Sequence, residues 1–375
     1  MPLHLGLIGL PNVGKTLLFN AMTKTDTDTP LSHAAKKTHI GIVNVPDSRL
    51  HGLAKIVHPD KIVSATVEFV DIAGLGRSDG KPHDSKTPAR GNPFLSDIRG
   101  ADALIHVVRC FDDENVFHIN SSVNPTRDIE SIRLELILAD LESLERRKLK
   151  LSAMIKGGDK SSKHESELLD VLSEAFYSGK TAALAGMQAG FTTEDIALLK
   201  KNIDFLSWKP IIYVANIAES ALANPSGNNY CREVFAAATE EDAEALAISA
   251  LLESDLAAFT EQERREYFSA LSIQETDLDR LIQRAFDLLG LMTFFTAGPK
   301  EVKAWTIRKN TKAPHAAGVI HSDIERGFIK ADVITYEHYI ACGGEKGARE
   351  KGLFRLEGKD YLMRDGDVVN FRFNV

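Results

Sequence analysis

Five short apolar runs recur along the chain, and each ends on a residue with distinct chemistry. Leu3–Ile8 runs into Gly9, Val67–Val70 into Asp71, Ala103–Val108 into Arg109, Ile211–Ala215 into Asn216, and Ala245–Ile248 into Ser249. Runs that are apolar throughout have no solvent face, as expected of strands covered on both sides, and helical stretches separate them. The pattern predicts a parallel α/β sheet. Ligands of such sheets gather at the carboxyl ends of the strands, where all five distinctive residues fall.

Residues 126–206 break this rhythm. Leu134, Ile137, Leu141, Leu144, Lys148, Leu151 and Ile155 follow three-to-four spacing, Gly157–Ser162 reads as a turn, and Leu168, Leu172 and Phe176 share one face of a second helix. The pattern predicts an antiparallel helical arm inserted between two sheet strands, its stripe packing within the arm or docking a partner. From Leu291 onward Gly-rich turns and period-two alternation, ending in Val369–Val375, predict a small β-rich domain. The domains expected are therefore 1–125 plus 207–290, the arm 126–206, and 291–375.

Composition narrows the class. With 43% hydrophobic and 26% charged residues the chain reads as an ordinary folded protein. No apolar run reaches the roughly 18 residues of a membrane span, so no membrane partner is expected. Cys110, Cys231 and Cys342 lie far apart without metal spacing, and the N-terminus lacks a signal-peptide pattern. Both point to reduced thiols and a cytoplasmic protein. The net charge of −8 argues against a generic DNA binder, although 291–375 holds 14 Lys/Arg against 11 Asp/Glu. Lys300, Lys303, Arg308, Lys309 and Lys312 cluster early in that stretch, either as an RNA contact or as a solvated face.

Gly9-Leu10-Pro11-Asn12-Val13-Gly14-Lys15-Thr16 fits G-x-x-x-x-G-K-[ST] between a predicted strand and a predicted helix. Glycines let the Pro11–Thr16 backbone wrap a phosphate with the amides of Asn12–Thr16 turned inward, and the helix start adds positive potential. Lys15 is the candidate for the β- and γ-phosphates, and Thr16 for Mg²⁺. Asp71, in Asp71-Ile72-Ala73-Gly74, is the second metal-side candidate, and the Gly74 amide a γ-phosphate contact. Leu75 follows where GTPases commonly carry a glutamine that orients water, so another group must do this or hydrolysis is slow.

For the base, GTPases of this class use N-K-x-D. Here the strand delivers Asn216-Ile217-Ala218-Glu219, with Ser249-Ala250 after the next strand as backbone support. Losing the lysine and lengthening the carboxylate favours adenine over guanine.

These pieces, with His106-Val107-Val108-Arg109-Cys110-Phe111, Thr293–Gly298, Lys303–Ile307 and His321–Ile329, resemble the YchF family of Obg-like ATPases almost end to end. The resemblance implies a Ras-like P-loop domain, a coiled-coil arm and a C-terminal TGS domain. It also implies ATP preferred to GTP, and association with the ribosome or its RNA. It sets Asn216 and Ile217 at the adenine, with Phe111 as an apolar wall. Asn12 matches the asparagine of potassium-stimulated members, adding K⁺ to Mg²⁺. His118 stands where a histidine has been considered a catalytic substitute for glutamine, and it reads equally well as a packing residue. The first switch departs from the family's Phe-Cys-Thr-Ile-Glu-Pro-Asn. It reads His33-Ala34-Ala35-Lys36-Lys37-Thr38-His39, with Ala35 at the threonine, and the second switch carries a longer polar stretch over 76–92.

Three functions remain in view: a slow ATPase that docks on the ribosome, a non-catalytic nucleotide-gated ribosome- or RNA-binding adaptor, and an Obg-type GTPase.

Overall fold

The computed structural model describes residues 3–23, 39–73, 93–156, 160–260, 262–263, 266–268 and 275–374. The chain divides into two units, 1–41 with 68–278 and 42–67 with 279–375. Residues 42–67, which the sequence reading kept with the N-terminal domain, group with the C-terminal unit, and the helices of 126–206 group with the first.

The first unit is built on β1 (His4–Ile8), β4 (Thr66–Asp71), β5 (Ala103–Arg109), β6 (Ile211–Asn216) and β7 (Glu244–Ile248), the five runs expected. They form a sheet of order β2-β4-β1-β5-β6-β7, where β2 is His39–Asn44. β1 pairs in parallel with β4 and β5, β5 with β6, and β6 with β7. Every residue of β5 is buried. Helices α1 (Lys15–Thr23), α3 (Pro93–Gly100), α8 (Asn229–Glu240) and α9 (Ala250–Ala258) complete the alternation, while α2 (Ser48–Val57) belongs to the second unit. Strand ends thus carry Gly9, Asp71, Arg109, Asn216 and Ser249 to one edge of the sheet.

The arm begins with α4 (Pro125–Lys156), followed by α5 (Lys160–Tyr177), α6 (Ala182–Ala189) and α7 (Thr193–Asn202). Ile137, Leu144 and Leu151 of α4 pack with Leu168, Leu172 and Phe176 of α5 in one core, flanked by Leu141 and Ile155. Leu134 departs from the expected stripe and is 53% exposed. Lys148, the polar member, forms an ion pair with Asp170 across α5 at 2.6 Å. Of the expected turn over 157–162, residues from Lys160 onward belong to α5, and 157–159 lie outside the described residues. Two buried acids fasten the arm. Glu165 takes a bidentate Arg147 at 2.7 and 2.8 Å and the Asn202 amide at 3.1 Å. Asp140 accepts from Leu206 N, Ser207 N and Ser207 Oγ at 2.6–2.8 Å, just ahead of β6. Burial pushes the Asp140 carboxyl up to about 6 against those donors.

The second unit is a mixed sheet of order β11-β10-β12-β8-β9-β3, with β3 Lys61–Val63, β8 Leu291–Ala297, β9 Glu301–Arg308, β10 Phe328–Thr335, β11 Arg355–Glu357 and β12 Asp367–Phe373. Between the strands lie α11 (Ala313–Ile320), α12 (Ser322–Arg326), α13 (Tyr336–Ala341) and α14 (Glu345–Glu350); α10 (Asp277–Leu288) precedes β8. The expectation that strands and turns replace helices here is corrected. These helices have five to eight residues, too short to show a clear 3.6 period. α11 lays Ala313, Ala316 and Ala317 against Phe294, Val333, Val369 and Phe371. β3 extends the sheet by pairing in parallel with β9, and Arg49 of α2 donates to Asp365 at 2.7 Å and Thr293 Oγ1 at 2.9 Å. Those contacts are why 42–67 group with the C-terminal residues.

Candidate functional site

The loop between β1 and α1 has the backbone its sequence requires. Gly9, Asn12 and Gly14 have φ of 147°, 61° and 99°. A Cβ at Gly9 would strike the Val107 carbonyl, and one at Gly14 the Asn216 amide, so both positions need glycine. Lys15 opens α1 almost fully buried, with Nζ donating to the carbonyls of Gly9 at 3.0 Å and Leu10 at 2.7 Å. Burial lowers its pKa to about 8, with Asp71 opposing the shift. Thr16 Oγ1 donates to Asp71 Oδ2 at 3.0 Å. Burial raises the Asp71 carboxyl above its ordinary range, while the Thr16 hydroxyl, Lys15 and His39 favour its charged form. His39, the last residue of the altered first switch, is thus part of this electrostatic environment. Gly74, Leu75, Ala35, Thr38 and the 76–92 stretch lie outside the described residues.

The donor set fits Mg²⁺. A hydroxyl and a carboxylate converge, both hard oxygen ligands, and the raised Asp71 carboxyl is one that a cation would return to its charged form. Two protein ligands, with phosphate oxygens and water filling the remainder, is how Mg²⁺ is usually held.

The base-side residues behave differently. Asn216 is buried, its Nδ2 donating to the Val13 carbonyl at 2.8 Å and its Oδ1 accepting from Ala250 N at 3.0 Å. It therefore ties the phosphate loop to the start of α9. Ile217 is 1% exposed and packs with Val108, Cys110, Tyr213 and Cys231, so its side chain faces the core rather than a ligand. Ser249 caps α9 by accepting from Leu252 N. Glu219 is exposed in a short 3₁₀ turn, Glu219–Ala221. A cavity of about 500 Å³ opens beside that turn, between Cys110–Asp112, Ala218 with Ser220, and Gly227–Tyr230. Of the residues expected at the base, Phe111 alone lines it.

Two further residues shape this wall and were not assigned roles from the sequence. Arg109 is buried and donates to the carbonyls of Phe111, Val116 and Asp113 at 3.0, 2.8 and 3.1 Å, with its guanidinium 4.7 Å from the Phe111 ring. Asn228 caps α8 and donates to the Cys110 carbonyl at 3.0 Å. The signal for Arg109 was its place at the end of an apolar strand, where a charge must find partners. The loop it gathers returns to the phosphate site, since Asn12 Nδ2 donates to the Phe117 carbonyl at 3.2 Å.

His118, expected either as a catalytic candidate or as a packing residue, is packed in this arrangement. It is 7% exposed; Nδ1 accepts from Asn120 N at 3.1 Å, so Nε2 carries the proton and donates to Asp128 at 2.9 Å. Neither ring nitrogen is left to orient a water. His106 is also closed to proton transfer. Burial, with the charges of Lys15 and Arg133, holds its pKa to about 3.

Comparison with known proteins follows the same outline. Residues 4–152 match the family described as 50S ribosome-binding GTPase, and residues 291–374 match the YchF-GTPase C-terminal family, described as a protein of unknown function. The chain is 46% identical over 376 residues to the "Ribosome-binding ATPase YchF" of Bacillus subtilis, covering all of both chains. It is 43% identical to that of Haemophilus influenzae, over 99% of each. The solved structure of the Schizosaccharomyces pombe YchF GTPase superposes with a TM-score of 0.83 at 30% identity, over 99% of this chain and 97% of that one. With a Gly-Lys-Thr loop facing Asp71, an Asn-Ile-Ala-Glu turn in place of a lysine-bearing one, and near-complete coverage at this identity, the chain belongs to the YchF family.

Proposed function

We propose that the chain is an ATP-hydrolysing protein that works on the ribosome. The observation that carries the chemistry is the Lys15–Thr16–Asp71 cluster at the ends of β1 and β4. Phosphoryl transfer asks the protein mostly for positioning and charge. Lys15 holds a positive charge under the loop, and its contacts with the Gly9 and Leu10 carbonyls keep it there before a nucleotide arrives. Thr16 and Asp71 would hold Mg²⁺, which would neutralise phosphate charge when bound. Asn216 keeps the loop in register with the base-side turn. Gly74 is included as the γ-phosphate amide on its sequence position alone. K⁺ rests on Asn12, whose amide oxygen is its one donor atom for a cation.

ATP is preferred to GTP because the position that carries lysine in guanine readers is Ile217, buried in the core, and Phe111 offers an apolar wall. Ribosome association is supported by the bacterial relatives, which are named ribosome-binding ATPases. The test is turnover of ATP and GTP with Mg²⁺, with and without K⁺, by the wild type and Lys15→Ala. ATP-selective turnover lost in the variant supports the reading, and equal turnover by the two proteins ends it. The nucleotide-gated adaptor is favoured by one observation, the engagement of both His118 nitrogens. Single-turnover cleavage of bound ATP would exclude it.

A further inference from the structure

The basic residues the sequence singled out early in the C-terminal unit are largely engaged. Lys303 lies 3.5 Å over the Trp305 ring, Lys309 is 3.9 Å from Asp287, and Lys312 pairs with Asp360 at 2.7 Å. A different arrangement of cations stands at the other end of the sheet. Ala331, Val333, Val369 and Phe371 point into the α11 core, so the alternate residues of β10 and β12 occupy the opposite face. There Lys330 stands across from Arg372, and Asp332 lies between Asn370 and Leu356. Lys330, Arg372, Asn370 and Leu356 are exposed, Leu356 by 50%.

Asp332 is the hub of this face. It is only 4% exposed, yet two guanidinium groups from separate elements converge on it. Arg372 donates through Nε and Nη2, both at 3.0 Å, and Arg349 of α14 reaches the same oxygen at 3.5 Å. Arg349 also bonds Glu345 and lies 3.7 Å over the Phe354 ring. Three cations therefore stand against one buried and one exposed carboxylate. Both arginines keep nearly half of their side chains in solvent. Burying a carboxylate is costly, and its return here is two arginines fixed in place with N–H groups still facing outward. Fixed guanidinium forks suit phosphate, and a ring beside them suits an unpaired base.

We propose that the exposed end of this face of β10, β11 and β12, centred on Lys330, Arg349 and Arg372 over Asp332, binds the phosphate backbone of single-stranded RNA. This deepens the ribosome reading and rests on it, since the strand would be one exposed by ribosomal RNA. The occupant follows from charge and shape. The face is cationic on a chain whose net charge is −8, and exposed Leu356 with the Arg349 guanidinium stacked on Phe354 gives bases a flat surface. Asp332 acts as a positioning residue and touches no RNA.

The experiment measures binding of the full-length protein to a labelled single-stranded RNA of about a dozen nucleotides and to purified ribosomes across a salt series. Lys330→Ala and Arg372→Ala should each weaken RNA binding about five- to tenfold near physiological salt and flatten the salt dependence by close to one phosphate contact. ATP turnover should not change. Asp332→Asn separates a built site from a diffuse basic patch. Removing a negative charge strengthens binding to a diffuse patch, whereas freeing two arginines weakens binding to a built one. Lys330 is exposed at the strand register facing Arg372, so Lys330→Ala keeps the test valid if Asp332→Asn fails to fold. Wild-type RNA affinity in both alanine variants overturns the proposal while leaving ribosome association standing. Loss of ribosome binding with unchanged RNA affinity also overturns it, and assigns the face to a ribosomal protein. A wild type that binds neither RNA nor ribosomes removes both readings.

Discussion

The two halves of the nucleotide site are built on different principles. At the phosphate half, Thr16 and Asp71 meet through their side-chain oxygens, and Lys15 is held buried under the loop close enough to Asp71 to feel its charge. At the base half, three of the expected side chains serve the scaffold, while Glu219 is exposed. Asn216 bonds Val13 and Ala250, Ser249 caps a helix, and Ile217 fills the core. The contrast follows from what each end must recognise. A phosphate is a charge and demands charged or dipolar groups held ready. A flat base can be met by backbone atoms and an apolar wall, so the side chains there are free to hold the scaffold.

The sharpest way to break this contrast is to remove the charge at the phosphate half. Lys15→Ala should lower ATP turnover by about 10²- to 10³-fold, the usual cost of losing one preorganised group in transition-state stabilisation. Steady-state turnover, with a thermal melt to confirm folding, reads this directly. A variant within threefold of the wild type would mean that the loop backbone alone carries the catalysis.

Asn216→Ala tests the base half by the opposite logic. If Asn216 is a tie, the loss leaves a buried carbonyl and a buried amide without partners, at about 1–3 kcal/mol. The loop then loosens, so GTP and ATP should both lose affinity, each by about tenfold. If Asn216 read the base, the two nucleotides would respond unequally. Equilibrium binding of both, beside the melting temperature, distinguishes the cases.

How much of this was legible in the sequence depended on how local the cause was. The P-loop and the five strands were readable because apolar runs and a fixed spacing report directly on a covered sheet and a phosphate turn. The grouping of 42–67 with the C-terminal residues is not legible in the sequence, because it rests on contacts such as Arg49 reaching Asp365, over three hundred residues away, and no period in the chain reports such a bond. The role of Asn216 was hidden for the same reason, since its partners Val13 and Ala250 come from different strand ends. The short helices of the C-terminal unit were missed because they are brief and Ala-rich in part, as in Ala313–Ile320.

The acid–base behaviour of the phosphate half provides a third, smaller effect. In the free protein Lys15 sits near 8, so raising the pH past that value neutralises it and removes its attraction for phosphate. kcat/KM for ATP should therefore fall above pH 8, by about tenfold per unit once well past it. kcat should hold to higher pH, because a bound triphosphate favours the charged amine. Lys15→Arg keeps its charge across this range and should give a lower but flat profile. A wild-type profile flat to pH 10 would show that burial does not depress Lys15.

The smallest effect on turnover is expected at His118, where the contrast between chemistry and scaffold is closest to balanced. Its imidazole receives the Asn120 amide and donates to Asp128, which also holds Arg127 at 3.1 Å. His118→Ala removes both bonds from a buried site and should cost about 1–3 kcal/mol, read as a fall of several degrees in Tm. Turnover should stay within about threefold if the histidine only holds the loop that meets Asn12 at Phe117. Asp128→Ala, made beside it, decides the matter, because it removes the same hydrogen bond and leaves the imidazole in place. Turnover that falls by the same modest factor in both variants makes His118 a scaffold residue, like Asn216. Turnover depressed by 10²-fold or more in His118→Ala but not in Asp128→Ala would mean that the ring leaves Asp128 during the reaction, placing His118 with Lys15 on the chemical side.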